Sequence, residues 1–357
     1  MTERLSKFLL DNWNTISPHL PRPEKLRFLL TKGSLGGYGG RVTFLVFSDN
    51  NRNPQIVVKV ARDPKDIHLL KAEYDSLKYA GQALSVSSKS SLPQVFFLGA
   101  LASYDILVEE CILGKSADAL ITDCFLNRRT KAVAILDKVC RWHIEFQKEI
   151  AVKRNVFCGV HNQQEYVIGP LESFIKLYGL SSNEKDFIGV LKNAILNMGK
   201  EKIPFVFEHG DFSPINIIFS SNKFAVIDWG SSKPQGLPFH DLFFLLVWLS
   251  GPHAIENLRS AFLSGGKISR ISFSLISEYC RELNINTNFV KAFFVLFLAN
   301  LANKEYSILS RQAERGYIVP LEPFGRGIKY ADGTLFKNGI YINLFRYFFE
   351  HEKEFIF

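Results

Sequence analysis

The chain has 357 residues, of which 47% are hydrophobic and 22% charged, a composition that is typical of a soluble globular protein and excludes a disordered one. Its length predicts two domains or lobes. The net charge of +8 is spread evenly, with an excess of three, two and three positive charges in residues 1–112, 113–231 and 232–357. Nucleic acid is therefore not an expected partner, because no basic arm is present. A slightly basic surface explains the excess, and a cleft for anions such as phosphates stays open.

The cysteines and the apolar runs indicate a cytoplasmic protein with no integral membrane segment. The five cysteines show no C-x-x-C pair and no regular spacing, which argues against a zinc site and a disulfide framework. The N-terminal apolar run Phe8–Leu10 is too short for a signal peptide. Two further runs, Leu242–Leu249 and Phe293–Leu298, are too brief to span a bilayer and are predicted to be buried helices.

Residues 1–112 are predicted to form a β-rich lobe with one main helix. A short amphipathic helix over residues 1–20 is broken by prolines, and a second helix is predicted over Pro64–Ala80. Runs of β-branched and aromatic residues, separated by turn-forming clusters, predict the strands of this lobe. These strands are Arg27–Thr31, Val42–Phe47, Gln55–Ala61, Gln94–Leu98 and Asp105–Glu109.

Residues 113–357 are predicted to form a larger, mostly helical lobe. Long helical patterns cover Thr130–Ile150 and Glu184–Gly199, and helices dominate after Phe239. The change of character near residue 112 is the predicted lobe boundary. The C-terminal segment Tyr341–Phe357 alternates aromatic and charged residues, which is typical of a packing helix. A membrane-surface or acceptor-binding role is the alternative.

A glycine-rich segment, Gly33–Gly40, follows the first predicted strand. Glycine-rich loops between strands can wrap phosphates, because their N–H groups approach a ligand without obstruction by Cβ. The segment does not match G-x-G-x-x-G strictly. Taken alone, a flexible hairpin tip explains it better.

Lys59 and Glu73 are each out of place on their own element. Lys59 lies inside the apolar run Ile56–Ala61, where an unpaired ammonium group is costly to bury. Glu73 shares one face of the next helix with Leu70 and Leu77. The pattern predicts an ion pair between them, and an edge-strand lysine that reaches solvent is the alternative.

The stretch Phe205–Ser231 places three oxygen-bearing side chains at strand ends and in a loop. Asp211 and Asn216 lie in the polar loop, and Asp228 follows the run Phe224–Ile227. Phosphoryl transfer needs a carboxylate that accepts the proton of the attacking hydroxyl, and it needs oxygen ligands for Mg²⁺. Each residue alone is better explained as a turn or cap. Their common order with Lys59 and Glu73 favours the chemical interpretation.

These residues resemble the aminoglycoside phosphotransferase and choline kinase-like family, which are small-molecule kinases with a protein-kinase-like fold. The resemblance covers roughly residues 33–246 and is most specific in the catalytic block. Its motifs are His209-Gly210-Asp211 with Asn216, Val226-Ile227-Asp228-Trp229, Pro238-Phe239-His240-Asp241-Leu242, Lys59 with Glu73, the connector Leu107–Gly114 and the pair Trp142-His143.

The resemblance implies an α+β fold with a small β-rich N-lobe and a larger helical C-lobe. It also implies ATP, or another NTP, and Mg²⁺ as cofactors. Asp211 is then the catalytic base, and Asn216 and Asp228 bind Mg²⁺. Asp241 braces the catalytic loop, and His209 is structural, with its imidazole bonded to nearby backbone.

The nucleotide contacts implied by the resemblance lie in the N-lobe. Lys59 contacts phosphate and is oriented by Glu73, while the backbone of Glu110 and Ile112 meets the adenine edge. The glycine loop contributes Gly36, Gly37, Gly39 and Gly40. Ile215 departs from the family pattern, where a smaller residue is frequent.

The expected acceptor is a hydroxyl group of a small molecule. Only eleven residues separate Trp229 from Asp241, too few for a protein-kinase activation segment, and no A-P-E follows. The excess of positive charge in residues 232–357 counts against polycationic aminoglycosides. A neutral or anionic hydroxyl compound, such as a sugar or glycoconjugate precursor, is therefore slightly favoured over an amino sugar or amino alcohol. A catalytically inactive nucleotide-binding or scaffold protein of the same fold is the alternative function.

Overall fold

The computed structural model of the protein describes residues 2–17, 20–33, 41–62, 66–123, 128–151, 156–157, 160–197, 203–220, 223–248, 254–263, 265–314 and 339–357. The chain forms two compact units. Unit 1 comprises residues 1–117 and 215–232, and unit 2 comprises residues 118–214 and 233–357. Unit 1 is therefore built from two separate stretches of the chain.

The strands and α-helices of the described residues are numbered in chain order. The strands are β1 (Leu26–Gly33), β2 (Arg41–Ser48), β3 (Ile56–Ala61), β4 (Val95–Leu101), β5 (Tyr104–Glu110), β6 (Lys115–Ser116), β7 (Val156–Phe157), β8 (Ile203–Pro204), β9 (Val206–Glu208), β10 (Ile217–Ser220), β11 (Lys223–Val226) and β12 (Lys233–Gly236). The α-helices are α1 (Thr2–Asp11), α2 (Trp13–Ile16), α3 (Ile67–Ala83), α4 (Val86–Lys89), α5 (Ala117–Thr122), α6 (Arg128–Ala151), α7 (Val160–Gln163), α8 (Gly169–Tyr178), α9 (Ser182–Leu196), α10 (His240–Trp248), α11 (Ala254–Phe262), α12 (Lys267–Glu282), α13 (Val290–Glu314) and α14 (Ile340–Glu350). Three-residue 3₁₀ turns cover Pro214–Asn216 and Trp229–Ser231, and a π-helical turn covers Gln164–Ile168.

The main sheet of unit 1 is antiparallel and has the strand order β1-β2-β3-β5-β4. Side chains alternate between the two faces of a strand, so each face has its own partners. Val58, Val60 and Val108 pack in one hydrophobic cluster with Leu9 and Trp13 of the N-terminal helices. The cluster on the other face joins Leu107 and Ala61 to Leu70 of α3. The sheet is thus covered by α1 and α2 on one side and by α3 on the other.

A second sheet completes unit 1, with the order β11-β10-β6. β10 and β11 form an antiparallel hairpin in which Ile217 pairs with Val226. The hairpin is tied to the rest of the unit where Val226 N–H donates to Ser91 O at 2.9 Å. Residues 215–232 therefore belong structurally to the N-terminal part of the chain.

Unit 2 is mostly helical and has an aromatic core. The rings of Phe243, Phe262 and Phe294 lie within contact distance of one another, with centroids 5.1 to 6.1 Å apart. Phe348 of α14 joins them, with its centroid 5.1 Å from that of Phe294. The ring centroid of Phe355 lies 4.6 Å from that of Phe348. The C-terminal segment is thus a packing element, as its sequence pattern predicts.

The predicted elements correspond to observed ones, with boundaries displaced by a few residues. The predicted helix over Pro64–Ala80 begins at Ile67, and the helix over Glu184–Gly199 runs from Ser182 to Leu196. Of the two apolar runs predicted to be buried helices, residues 242–248 of the first lie in α10, its last residue is outside the described ranges, and the second lies in α13. No helix within the described ranges is long and apolar enough to cross a membrane. The lobe boundary at residue 112 stays a prediction.

Candidate active site

The alternation of side chains along β3 and β5 brings Lys59 and Glu109 to the face covered by α3. The even-numbered neighbours Val58, Val60 and Val108 point to the opposite face, into the cluster with α1 and α2. Lys59 pairs with Leu107 in the register of β3 and β5, so Glu109 is its diagonal neighbour. Glu73 lies on the buried face of α3. Local periodicity therefore delivers one ammonium and two carboxylates to the same place.

Lys59 is held between two buried carboxylates. Its Nζ lies 2.6 Å from Glu73 Oε1 and 2.8 Å from Glu109 Oε1. Burial would lower the pKa of Lys59, but the charges of Glu109 and Glu73 outweigh it and raise this pKa above its ordinary value. Burial raises the pKa of Glu109 to about 7, against the opposing attraction of Lys59. Lys59 therefore stays charged, and Glu109 titrates near neutral pH.

Glu73 also fixes the backbone beside Asp228. Its Oε1 accepts a hydrogen bond of 2.8 Å from Trp229 N–H, in addition to the bond from Lys59. Trp229 is fully buried and donates its indole N–H to Val226 O at 2.9 Å. One carboxylate therefore sets the position of Lys59 relative to the residue that follows Asp228.

Asp228 has the left-handed backbone conformation, with φ of 63° and ψ of 61°. Few residues other than glycine adopt this conformation, and aspartate and asparagine are the main exceptions. The conformation ends β11 and starts the 3₁₀ turn Trp229–Ser231. Such backbone, held in place by surrounding contacts, is frequent at functional sites.

Arg41, at the first position of β2, lies beside both acidic residues. Its Nη1 is 3.6 Å from Asp228 Oδ1 and 4.0 Å from Glu73 Oε2. Gly230 makes this approach possible, since a Cβ on Gly230 would lie only 2.6 Å from Arg41 Nη1. The sequence did not single out Arg41, because its partners are distant in the chain.

Asn216 and Asp228 are at the same end of the β10–β11 hairpin. Beyond the last paired residues, Ile217 and Val226, the N–H of Ile227 donates to Asn216 O at 2.9 Å. Asn216 directly precedes β10, and Asp228 directly follows Ile227. The side chains of Asn216 and Asp228 are therefore carried by adjacent backbone, and their role as metal ligands stays a prediction.

The loop His209-Gly210-Asp211 in unit 2 is braced by Asp241. Asp241 Oδ2 accepts from His209 N–H at 2.7 Å, and its Oδ1 accepts from Gly210 N–H at 3.0 Å. Burial would raise the pKa of Asp241, but its contacts with His240 and His143 hold that pKa below the usual range. Gly210 has φ of 77°, a conformation that favours glycine. The bracing role that the resemblance implies for Asp241 agrees with these bonds.

His209 cannot act as a base through Nδ1, because this atom already accepts a hydrogen bond of 3.2 Å from Asp211 N–H. His209 is 1% exposed, and its imidazole holds the backbone of Asp211 in place. This agrees with the structural role implied for His209. Asp211 itself is half-buried, and its backbone O accepts from Ser213 N–H at 2.8 Å.

Lys304 of α13 reaches the same loop. Its Nζ donates to Gly210 O at 3.3 Å. Among the described residues, no carboxylate lies within 4.0 Å of this ammonium group. A positive charge is therefore fixed one residue from Asp211. No sequence motif indicated it, because α13 lies far from the loop in the chain.

The remaining predicted nucleotide contacts lie partly outside the described residues. Gly36, Gly37, Gly39 and Gly40 are outside them, so their role stays a prediction. Glu110 donates its N–H to Gln94 O at 2.8 Å, which leaves its carbonyl as the group that could meet a ligand.

Glu109 is the residue of this cluster that a closer sequence reading could have found. The motif Leu107–Gly114 contains it, but only as part of the lobe connector. It ends the buried run Ile106–Val108, where a carboxylate is as costly to bury as Lys59 is on β3. The sequence therefore contains the signal of a buried carboxylate at Glu109, but it does not contain the register that pairs β3 with β5.

Comparison with known proteins places these features in context. The model of the phosphotransferase enzyme family matches residues 35–270. A Ralstonia eutropha JMP134 structure assigned to the aminoglycoside phosphotransferases is 14% identical, with a TM-score of 0.56 over 99% of each chain. A GDP complex of a mutant aminoglycoside 2'-phosphotransferase-IIIa is 13% identical, with a TM-score of 0.51 over 98% of this chain and 97% of its own. No curated protein sequence matches the chain. The predicted α+β, kinase-like fold is confirmed.

Proposed function

The chain belongs to the phosphotransferase enzyme family, and from that premise we propose that it transfers the γ-phosphoryl group of ATP to a hydroxyl group of a small molecule, with Mg²⁺. Membership makes it a phosphotransferase that acts on a hydroxyl group. The nucleotide, the metal and the roles of individual residues are the proposal. The acceptor is expected to be a sugar or glycoconjugate precursor, an amino sugar or an amino alcohol.

One observation carries the nucleotide part of the proposal. Glu73 Oε1 accepts from both Lys59 Nζ and Trp229 N–H, at 2.6 and 2.8 Å. A fixed cation and the carboxylate of Asp228 thus share one rigid frame. A nucleotide with its metal needs this combination, because Lys59 can hold the α- and β-phosphates while Asp228 faces the cation. A scaffold protein has no physical need for this arrangement.

The oxygen donors of unit 1 fit Mg²⁺. Asn216 and Asp228 would hold the ion, one through an amide oxygen and the other through a carboxylate. Mg²⁺ is a hard cation that takes oxygen ligands, and it commonly takes only one or two from the protein because phosphates and water supply the rest. Among the described residues no group of three or more His, Cys, Asp and Glu side chains could hold a metal ion, which disfavours a transition-metal site. When bound, Mg²⁺ neutralises phosphate charge.

Asp211 is proposed to accept the proton of the acceptor hydroxyl. As that oxygen bonds to the γ-phosphorus, the bond between this phosphorus and the bridging oxygen of ADP breaks, and ADP leaves with the electron pair. Asp241 keeps the backbone of His209 and Gly210 in place, so Asp211 is presented on a rigid loop. Rigid support of this kind is what a positioned general base requires.

The adenine edge is proposed to meet the connector after β5. The carbonyl of Glu110 can accept a hydrogen bond, and the N–H of Ile112 can donate one. Among the described residues the N–H of Ile112 makes no hydrogen bond. A cytoplasmic location is also proposed, supported by the free thiols of Cys111, Cys140 and Cys280.

Calorimetric titration with Mg·ATP tests the nucleotide part of the proposal. The native protein should bind Mg·ATP, and a chelator should abolish most of this binding. Lys59→Met should weaken it about thirtyfold, because one charge-assisted contact to phosphate is lost. Native protein that binds no Mg·ATP would refute ATP as the phosphoryl donor.

Lys71→Met is the matched control for this titration. Lys71 is an exposed lysine on α3 that pairs with Asp75. The Lys71→Met variant should bind Mg·ATP with the affinity of the native protein. Replacing Lys59 removes the cation between the buried carboxylates of Glu73 and Glu109, which is destabilising. Circular dichroism therefore has to show that the Lys59→Met variant is folded.

A further inference from the structure

Unit 2 contains a half-open cavity of about 180 Å³. An engineered cavity of about 150 Å³ is large enough for a benzene ring, whereas pockets for drug-sized ligands span about 300 to 1,000 Å³. The space therefore suits one six-membered ring with its substituents. It is too small to enclose an oligosaccharide.

Part of the cavity lining is apolar. It comprises Leu237, from the segment after β12, with Phe293 and Phe297 of α13, and all three side chains are buried. Phe293 and Phe297 are one helical turn apart, so their rings form a continuous strip. An apolar wall of aromatic rings matches the C–H face of a ring better than it matches a charged chain.

The polar residues of the cavity have unused hydrogen-bonding capacity. His240 Nδ1 is buried 3.6 Å from Glu208 Oε1 and 3.6 Å from Asp241 Oδ1, and it makes no hydrogen bond among the described residues. The side-chain amide of Asn300, a half-buried residue, makes no hydrogen bond within the described part of the chain. A buried polar atom without a partner is costly. Hydroxyl groups, which both donate and accept, can bond to both side chains.

The charges in the cavity compensate one another. Glu208 Oε1 lies 3.0 Å from Lys233 Nζ. Burial would lower the pKa of Lys233, but Glu208 raises it above its ordinary value, so this ammonium group stays charged. Glu165, which also lines the cavity, is exposed to solvent. A polycation would find no buried, unpaired carboxylate here.

The helix that contributes Asn300 to the cavity also reaches the loop that carries Asp211. Asn300 and Lys304 are four residues apart on α13, about 6 Å along the helix and on the same face. Lys304 Nζ donates to Gly210 O, next to Asp211 in the chain. This face of α13 therefore holds a cation beside the loop, which disfavours a positively charged acceptor.

We propose that this cavity binds the phosphate acceptor and that the acceptor contains one uncharged, sugar-sized ring with a hydroxylated edge. The C–H face of the ring packs on Phe293 and Phe297, and its hydroxyl groups bond to Asn300 and His240. The proposal rests on the proposed phosphotransferase function and specifies its substrate class. It assigns acceptor binding to Asn300, which lies outside residues 35–270, the part of the chain that the family model matches.

Ligand-observed NMR with simple cyclic polyols tests the proposal. The panel contains methyl pyranosides and inositols, each compared with an amino-substituted analogue of the same ring, and choline represents the amino alcohols. Each compound is measured with and without Mg²⁺ and a non-hydrolysable ATP analogue. Neutral rings should bind, and the amino analogue of the same ring should bind at least about tenfold more weakly.

Two variants of Asn300 locate the binding. Asn300→Leu keeps the helix and fills part of the polar space, and Asn300→Ala removes the amide with little steric change. Each should weaken the neutral ring about tenfold, the effect expected for one lost buried hydrogen bond. Asn193→Leu makes the same chemical change on the exposed face of α9, and it should leave binding unchanged.

The outcomes separate this proposal from the proposed function. If Mg·ATP binds but no neutral ring does, or if amino sugars or choline bind in preference, the substrate class is wrong while the kinase function stands. Equal affinity in the native protein and both Asn300 variants would overturn the assignment to this cavity. Absence of Mg·ATP binding would instead refute the proposed phosphoryl donor.

Discussion

Glu73 of unit 1 and Asp241 of unit 2 are both fully buried carboxylates, but different groups compensate their charges. Glu73 lies against the cationic side chains of Lys59 and Arg41 and accepts a single backbone N–H. Asp241 accepts two backbone N–H groups, at 2.7 and 3.0 Å. The first carboxylate organises charges, and the second organises backbone.

The difference follows from what each region must do in the proposed reaction. Side-chain cations can exchange partners when phosphate or metal binds, so the cluster around Lys59 can respond to a ligand. Backbone N–H groups cannot move without the loop, so Asp241 gives rigidity instead. We therefore expect changes near Lys59 to affect ligand binding and pH dependence, and changes near Asp241 to affect folding.

The largest effect is expected where the rigid loop presents Asp211. Asp211→Asn should lower kcat by about 10³-fold, in the range known for loss of a general base. The affinity for Mg·ATP should change less than about twofold, because the variant keeps the size of the side chain. Single-turnover measurement of phosphoryl transfer, with calorimetry for binding, checks both. Asp186→Asn, an exposed residue of α9, is the control; equal turnover of the two variants would remove Asp211 as the base.

The rigidity of the loop can be broken at its brace. Asp241→Ala should lower the free energy of unfolding by about 3 kcal/mol, since two buried N–H groups lose their acceptor. Chemical denaturation measures the change. Asp75→Ala removes an exposed carboxylate paired with Lys71 and should cost less than about 0.5 kcal/mol. A cost for Asp241→Ala as small as this would contradict the proposed bracing.

The charge cluster of unit 1 should make stability depend on pH through Glu109. Its pKa is raised from 4.5 to about 7, first of all by burial, so the folded state binds this proton more tightly than the unfolded chain. The resulting stabilisation is fully present below pH 4.5 and is lost as the pH rises through about 7. The unfolding free energy of the native protein should decline between about pH 5 and 8, and in Glu109→Gln this decline should be smaller by roughly 2 kcal/mol.

Glu24→Gln is the control for that pH series. Glu24 is an exposed residue of unit 1, and its replacement should leave the pH profile of the native protein unchanged. If the stability profiles of Glu109→Gln and of the native protein run parallel between about pH 5 and 8, Glu109 does not titrate in this range.

The smallest effect is expected at Arg41, which is partly exposed. Its guanidinium group lies 3.6 Å from Asp228 Oδ1 and competes there with a cation. Arg41→Gln should tighten the binding of Mg²⁺ in the absence of nucleotide by about two- to fivefold, the worth of a partly solvated ion pair. Fluorescence titration with Mg²⁺ detects this change. The exposed Arg52→Gln is the control, and weaker Mg²⁺ binding by Arg41→Gln would reverse the assigned role.

Local patterns in the sequence were enough to predict the elements and the pairing of Lys59 with Glu73. Each of these residues breaks the apolar pattern of its own element, and such breaks are visible without tertiary information. The brace at Asp241 was predicted only through the resemblance. Its two partners lie 31 and 32 residues away in the chain, with no periodic pattern to connect them.

The partners that the sequence did not predict depend on tertiary register. Glu109 meets Lys59 because Lys59 pairs with Leu107, a register set by the whole sheet. Lys304 reaches Gly210 because α13 packs beside the loop, 94 residues further along the chain. Single-sequence patterns contain neither the register of strands nor the packing of distant helices.

The discontinuity of unit 1 has a consequence for the order in which the protein matures. The hydrogen bond between Glu73 and Trp229 N–H spans 156 residues, and residues 118–214 of unit 2 are synthesised in between. The β10–β11 hairpin must therefore pack against elements of unit 1 that were synthesised much earlier, and closing so long a loop costs entropy. A nascent chain that stops before residue 215 lacks both proposed metal ligands. If Asn216 and Asp228 have the roles proposed for them, phosphoryl transfer requires that synthesis has passed residue 228.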